Sequence, residues 1–115
     1  MDAANGRFSV IIYTEDQIGL LVQISNIFTR RSLSIWSMYA APSSIEGIHT
    51  ITIIADGPES KIRQAKMQLE KRIEVIKVYI DMGNVIAQWP GSPSATEARN
   101  VEVLNYIKER NNNNI

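Results

Sequence analysis

Cysteine is absent from this 115-residue chain, and histidine occurs once, at position 49. Without cysteine the chain can form no disulfide, no catalytic thiolate and no cysteine-based zinc site. No second histidine is present to complete a metal site or an acid–base pair with His49. A lone histidine on a strand is more often structural than catalytic, so these absences argue against most enzyme classes.

The chain also lacks net charge and long apolar runs. Lys plus Arg and Asp plus Glu number 12 each, which leaves no electrostatic footprint for nucleic acid or for an anionic membrane. No apolar run approaches the length of a membrane span, and the first residues lack the apolar core of a secretion signal. We therefore expect a cytoplasmic protein that binds neither membrane nor nucleic acid.

Apolar periodicity divides most of the chain into six elements. Strand-like stretches occur at residues 7–14, 33–41, 48–55 and 72–80, and helical spacing follows the first and the third of them. This βαββαβ order predicts an α+β, ferredoxin-like fold: a four-stranded antiparallel sheet with two helices on one face, plus a C-terminal helical tail. We expect the domain to span residues 7–81, and residues 82–115 to form a linker and a short amphipathic helix with a frayed end.

The sheet face away from the two helices needs a cover. Ile11, Tyr13, Trp36 and Met38 are expected there, and together they are too apolar for open solvent. Either the tail or a partner chain would cover them. In the tail, apolar residues recur at helical spacing and predict one buried stripe, which consists of Val101, Leu104 and Ile107.

The segment EDQIGLLVQISNIF, residues 15–28, joins the first strand to the first helix. Asp16 is placed as the N-cap, so Gly19 would lie within the first turn and cost the helix about 1 kcal/mol relative to alanine. A bare backbone at a helix N-terminus suits a small carboxylate, because the N–H groups there are unpaired. The alternative is that Gly19 only makes room for a neighbouring strand, and the residues alone do not decide between the two.

The stretches FSVIIYTEDQIGLLVQISNIFTRRSLSIWSMYAAPS and TITIIADGPESKIRQAKMQLEKRIEVIKV resemble an ACT domain over roughly residues 7–80. More narrowly, they resemble the N-terminal domain of the regulatory (small) subunit of acetolactate synthase, also called acetohydroxyacid synthase. The glycine–leucine at the first helix, the helix LVQISNIFTRR, the strand and turn SIWSMYAAPS and the final QLEKRIEVIKV carry this resemblance.

The resemblance implies a non-catalytic regulatory subunit of branched-chain amino acid biosynthesis. Such a subunit binds the acetolactate synthase catalytic subunit, confers feedback inhibition by an amino acid, chiefly valine, and forms a homodimer by side-by-side sheet pairing. The chain itself would hold no cofactor and no metal, since thiamine diphosphate, Mg²⁺ and FAD belong to the catalytic partner. Two alternatives stay open: a free-standing ACT-domain amino-acid sensor with another enzyme partner, and a small ferredoxin-like enzyme.

By position, the resemblance also implies an effector site shared by two chains. The first loop of one chain would supply Asp16, Gln17, Ile18, Gly19, Leu20 and Leu21, and the second strand of the other would supply Ser34. Three positions depart from the family pattern: Asp16 and Ser34 replace asparagines, and Ser32 replaces a glycine. Asp16 could pair with the effector's ammonium group or only cap its helix, and we favour the cap.

Overall fold

The computed structural model of the chain describes residues 5–15, 19–82 and 93–113. Four strands form one antiparallel sheet in the order β2-β3-β1-β4; they are β1 (Asn5–Glu15), β2 (Ser34–Pro42), β3 (Ile48–Pro58) and β4 (Val75–Met82). Helices α1 (Leu20–Arg30), α2 (Glu59–Glu70) and α3 (Pro93–Asn113) follow β1, β3 and β4. The predicted ferredoxin-like topology with a C-terminal helix is confirmed.

The main core lies between the sheet and the helices α1 and α2. Strand β1 contributes Phe8, Val10 and Ile12, because alternate residues of a strand face the same side. Each helix buries a single apolar stripe, made of Leu20, Ile24, Ile27 and Phe28 in α1 and of Ile62, Ala65 and Leu69 in α2. Both helices therefore cover the same face of the sheet, as their stripes predict.

The start of α1 differs from the sequence-based expectation. The helix begins at Leu20, and its N-cap position is occupied by Gly19, so the placement of Asp16 at the N-cap is wrong. Gly19 has a φ of +83°, in the left-handed region that glycine adopts without steric cost. Gly19 thus stands outside the helix and carries no cost as an interior residue. Asp16 itself lies outside the described residues.

The end of α1 explains why the ACT pattern has a glycine at position 32. The N–H of Leu33 donates to the carbonyl of Phe28 at 3.1 Å, and the N–H of Ser32 donates to that of Thr29 at 3.0 Å. These are the two hydrogen bonds of a Schellman motif, whose C′ residue is left-handed. Ser32 fills that position with a φ of +58°. A serine in this conformation costs about 1 kcal/mol. Having Ser32 in place of the family's glycine therefore lowers the stability of the turn.

The second face of the sheet is covered by α3. Val103 is fully buried there beside Tyr13 of β1, and Ile107 is partly buried in the same cluster. The prediction of the buried stripe is otherwise wrong, since Val101 is 55% exposed and Leu104 is 39% exposed. The helix is therefore rotated about its own axis, so that a different face from the one predicted by the apolar spacing packs on the sheet.

A polar residue, Asn100, accounts for that rotation. Its Oδ1 accepts a hydrogen bond from the hydroxyl of Tyr13 at 2.7 Å, and its Nδ2 donates to Oγ of Ser44 at 2.8 Å. Asn100, Val103 and Ile107 are spaced i, i+3 and i+7, so turning the amide toward the sheet also turns these two apolar side chains inward. Through Asn100 the helix ties β1 to the β2–β3 turn.

Charged and aromatic side chains complete the contact between α3 and the sheet. Nζ of Lys77 lies 3.1 Å from Oε1 of Glu102 and 5.5 Å from the ring centroid of Tyr106. Burial, and then the negative charge of Glu102, raises the pKa of the neighbouring Tyr79 to about 12.

None of the helices in the part of the chain that the structure describes is long and apolar enough to cross a membrane.

Two of the apolar residues expected on the second face are not covered by α3. The pairing of β2 with β3 skips Trp36, and such a bulge moves the residues that follow it to opposite faces. Met38 consequently pairs with Ile53, whose side chain belongs to the α1–α2 core, so its expected placement is wrong. Trp36 is 63% exposed, and the guanidinium carbon of Arg7 lies 4.7 Å from its ring centroid.

The inward face of α3 can be tested with a pair of aspartate substitutions. Val103→Asp places a charge in the buried cluster and should lower the free energy of unfolding by about 2–4 kcal/mol. Val101→Asp, two residues away on the exposed side, should change it by less than about 0.5 kcal/mol. Urea unfolding measures both, and equal losses would show that α3 does not dock through Val103.

Candidate functional site

A small cavity lies where β1 ends and α1 begins. Its volume is about 90 Å³. Leu20, Leu21, Ala40 and Ile51 supply apolar walls, and Thr14, Glu15 and His49 supply the polar ones. Two of the residues expected at an effector site, Leu20 and Leu21, thus lie at a cavity. Leu20 is buried and anchors α1 in the core, whereas Leu21 is 39% exposed.

The first turn of α1 presents backbone N–H groups at this cavity. The first intrahelical hydrogen bond runs from the N–H of Gln23 to the carbonyl of Gly19 at 3.4 Å. The N–H groups of Leu20, Leu21 and Val22 precede it and have no helical acceptor. No side chain among the described residues caps them, and no acidic residue lies in the first turn. Such a helix end, with its positive partial charge, can bind a carboxylate.

Gly19 is required here by backbone conformation rather than by lack of space. A Cβ built on it would meet no atom of the described residues within 4 Å. The alternative that Gly19 makes room for a neighbouring strand is therefore wrong. The left-handed φ of this residue is what turns the chain from β1 into α1.

The three polar residues of the cavity wall are not equivalent. The hydroxyl of Thr14 donates to the carbonyl of Glu74 at 2.9 Å. Glu15 pairs with Ile48, a residue of the second face, and Oε1 of Glu15 lies 3.8 Å from Arg110 of α3, so its carboxylate is turned away. His49 remains, and its Nδ1 is buried with no hydrogen-bond partner among the residues that the structure describes.

Ser34 lies at the other end of the sheet. It pairs with Asp56, which pairs with Arg7 near the beginning of β1, whereas Gly19 follows the end of β1. The eight steps along β2 from Ser34 to Pro42 alone span about 26 Å. Within one chain the structure therefore does not bring Ser34 to the cavity.

An ion pair marks the Ser34 end of the sheet. Nε of Arg7 lies 2.8 Å from Oδ1 of Asp56, and its second nitrogen lies 3.0 Å from Oδ2. The Arg7 guanidinium lowers the pKa of Asp56 below its usual range through this bidentate contact. The two charges of this pair satisfy each other, and Ser34 is an exposed residue of the edge strand β2.

The remaining predicted site residues, Asp16, Gln17 and Ile18, lie outside the described residues. Five residues line the cavity without having been predicted at the site: Thr14, Glu15, Ala40, His49 and Ile51. The alternation of β3 places His49 and Ile51 on one face, but only the strand order brings that face beside the end of β1.

In the described ranges, no group of three or more His, Asp or Glu residues is placed to hold a metal ion.

Comparison with known proteins assigns this architecture to a family. Residues 10–77 match the model of the AHAS small subunit-like ACT domain. The chain belongs to this family of ACT domains. The matched range includes the end of β1, the whole of α1 and the cavity wall on β2 and β3.

Relatives of this ACT domain carry the name of one enzyme subunit. The chain is 39% identical over 64 residues to the probable acetolactate synthase small subunit of Methanothermobacter thermautotrophicus, covering 56% of this chain and 38% of that one. It is 31% identical over 67 residues to the acetolactate synthase small subunit of Mycolicibacterium smegmatis, and this match covers 58% of this chain and 39% of that one. The chain thus spans well under half the length of these relatives.

Solved structures agree with the family. The acetolactate synthase small subunit of Thermotoga maritima superposes with a TM-score of 0.59 at 27% identity, over 65% of this chain and 47% of that one. The ACT domain of GTP pyrophosphokinase from Chlorobium tepidum superposes with a TM-score of 0.57 at 19% identity, over 68% of this chain and all of that one. The second likeness concerns the fold alone.

The role of Gly19 can be tested by the sign of a stability change. Because the residue is left-handed and outside the helix, Gly19→Ala should lower the free energy of unfolding by about 1–2 kcal/mol. Gly19→Asn should cost less, since asparagine tolerates this conformation. Urea unfolding of both variants measures the difference. A Gly19→Ala protein that is more stable than the parent would restore the interpretation of Gly19 as a helix-interior residue.

Proposed function

We propose that this ACT domain is a non-catalytic regulatory subunit of acetolactate synthase, acting in branched-chain amino acid biosynthesis. It binds the catalytic subunit and changes its activity in response to a small amino acid, with valine as the first candidate. The observation that carries the proposal is the family match over residues 10–77, supported by relatives named acetolactate synthase small subunit. The thiamine diphosphate, Mg²⁺ and FAD of the reaction would belong to the catalytic partner, and we expect the assembly in the cytoplasm.

The first turn of α1 and the cavity beside it fit the chemistry of an amino acid. The N–H groups of the turn, which no side chain among the described residues caps, suit the carboxylate, and the apolar walls of the cavity suit an aliphatic side chain. On this support we propose Gly19, Leu20 and Leu21 for the roles that the family resemblance implies. Asp16, Gln17 and Ile18 are included in the proposed site on that resemblance alone.

The outer edge of β2 has the features of a dimer surface. It is a terminal strand in the order β2-β3-β1-β4, and Trp36, Met38 and Tyr39 are all exposed along it. An exposed apolar edge strand is a template for pairing with another chain. We therefore propose a homodimer in which β2 of one copy pairs with β2 of the other.

Such pairing would complete the divided site. A two-fold axis at Met38, the middle residue of β2, sets Ser34 of one copy opposite Pro42 of the other. Pro42 pairs with His49, at the end of the sheet where Gly19 lies. Ser34 of a second copy would then approach the cavity that Ser34 of the same chain cannot reach.

A reconstitution assay tests the proposed function. The chain is mixed with the purified catalytic subunit of the same organism, and acetolactate formation is measured with and without valine. The chain should raise the rate, and valine should return it toward that of the catalytic subunit alone. The chain by itself should form no acetolactate.

The assay also separates the alternatives. If the chain has no effect on the catalytic subunit but binds valine in isothermal titration, it is a sensor with another partner. A catalytic subunit whose rate is the same with and without the chain would overturn the proposed subunit role.

A further inference from the structure

We propose that the helices α1 and α2 carry a docking surface for an acidic protein surface, at the corner formed by Val22, Met67, Lys71 and Ile73. This inference rests on the proposed function, because the catalytic subunit is the protein that supplies the acidic surface. It adds to that function the contact surface on this chain, which lies on the helix-covered side of the sheet opposite to α3.

Charge is distributed unevenly over the chain although its sum is zero. Residues 20–31 and 59–72, the helices α1 and α2 with the residues that end them, hold seven of the twelve basic residues and two of the twelve acidic ones. This helix layer therefore has a net charge of +5, and the rest of the chain has −5. A layer of this sign attracts a negatively charged partner surface and speeds the encounter with it.

Three large apolar side chains are exposed on the same layer. Val22 is 64% exposed, Met67 is 61% exposed and Ile73 is 89% exposed. The side chain of Arg72 donates a hydrogen bond to that of Gln23, which ties the end of α2 to the start of α1. Because Val22 and Ile73 are the chain neighbours of these two residues, they lie at one corner of the layer. Apolar side chains grouped within a basic layer mark an interaction surface.

The anchor of this corner is Ile73. It lies in the turn between α2 and β4, which the N–H of Val75 closes by donating to the carbonyl of Arg72 at 3.2 Å. Turn positions favour glycine, asparagine, aspartate and serine, whose backbone or side chain suits the turn. A β-branched apolar side chain that is 89% exposed there contributes almost no burial to the folded chain. It gains burial in an apolar depression of a partner, as the central residue of an interface does.

A protein fits this surface better than a nucleic acid or a membrane does. Two exposed carboxylates lie on α2 among the basic groups, since Glu59 pairs with Arg63 and Glu70 pairs with Lys66. Carboxylates at these positions repel a phosphate backbone or an anionic headgroup layer. An acidic protein surface can place its own charges between them and still present an apolar depression to Ile73.

The position of the corner suits a partner that responds to the candidate site. Ile73 precedes β4, the edge strand opposite to β2, so docking there leaves the proposed dimer surface uncovered. The carbonyl of Glu74 accepts hydrogen bonds from the hydroxyl of Thr14 and from the N–H of Glu15, both at 2.9 Å. Thr14 and Glu15 line the cavity at the start of α1. The docking turn is thus joined directly to the cavity wall.

A binding series with charge substitutions tests the surface. The full chain is titrated onto the immobilised catalytic subunit of the same organism at salt concentrations of about 50 and 300 mM. Ile73→Asp should raise the dissociation constant at least about tenfold, because it places a carboxylate where an apolar anchor docks. Lys71→Glu should raise it by about fivefold at low salt and by less at high salt, because the lost attraction is electrostatic.

Two residues of α3 supply matched controls. Val101→Asp and Lys108→Glu make similar changes of charge at exposed positions on the other side of the sheet. Both variants should bind the catalytic subunit as the parent does. Circular dichroism and size-exclusion chromatography should show the parent's fold and oligomeric state for all four variants, because every substituted side chain is exposed.

The outcomes separate this inference from the proposed function. An Ile73→Asp protein that binds the catalytic subunit as tightly as the parent overturns the docking surface while the regulatory role stands. A parent chain that does not bind the catalytic subunit at either salt concentration overturns the regulatory role, and the named partner with it. Binding of the parent to duplex DNA or to phosphatidylglycerol vesicles that Ile73→Asp and Lys71→Glu abolish, with unchanged binding to the catalytic subunit, assigns the surface to that other partner and overturns the inference. Weakened binding in these two variants alone supports it.

Discussion

The pairing of β1 with β3 is the constraint on which the rest of the structure depends. It runs without interruption from Asn5 opposite Pro58 to Glu15 opposite Ile48. Alternation along these two strands sends one set of side chains to α1 and α2 and the other to α3. The same register places Gly19 and His49 near one end of the sheet and the Arg7–Asp56 ion pair near the other.

The helices pack on the two faces of the sheet through different kinds of interaction. The first face is sealed by apolar stripes on α1 and α2, so hydrophobic burial dominates there. The second face mixes apolar contacts with the hydrogen bond from Tyr13 to Asn100 and the ion pair of Lys77 with Glu102. Because such polar contacts are directional, they set the rotation of α3 more sharply than a few apolar contacts could.

Apolar periodicity was sufficient to predict the fold, because each strand and helix buries a face that the sequence marks clearly. It could not predict the left-handed Gly19 at the N-cap, the bulge at Trp36 or the rotation of α3, since each depends on backbone geometry or on one polar contact. The residues of the candidate site could be predicted from the sequence only in part, for a similar reason. Leu20 and Leu21 follow from the family pattern, whereas His49 reaches the cavity through the order of the strands.

In the homodimer proposed above, two copies of the chain share one effector site. The absence of cysteine makes this directly testable, because Ser34→Cys combined with Pro42→Cys introduces the only two thiols. Directly opposite residues on paired antiparallel strands have Cα atoms about 4.5–5.5 Å apart, within the reach of a disulfide. Within one chain the two positions are about 26 Å apart along β2, so they cannot bond to each other.

Mild oxidation of the Ser34→Cys, Pro42→Cys variant, followed by non-reducing electrophoresis, is therefore the most direct measurement. Each single-cysteine variant serves as its control. If two copies share the site, the double variant forms a covalent dimer far faster than either single variant does. A double variant that stays monomeric on the gel, or that crosslinks no faster than its controls, would contradict the shared site.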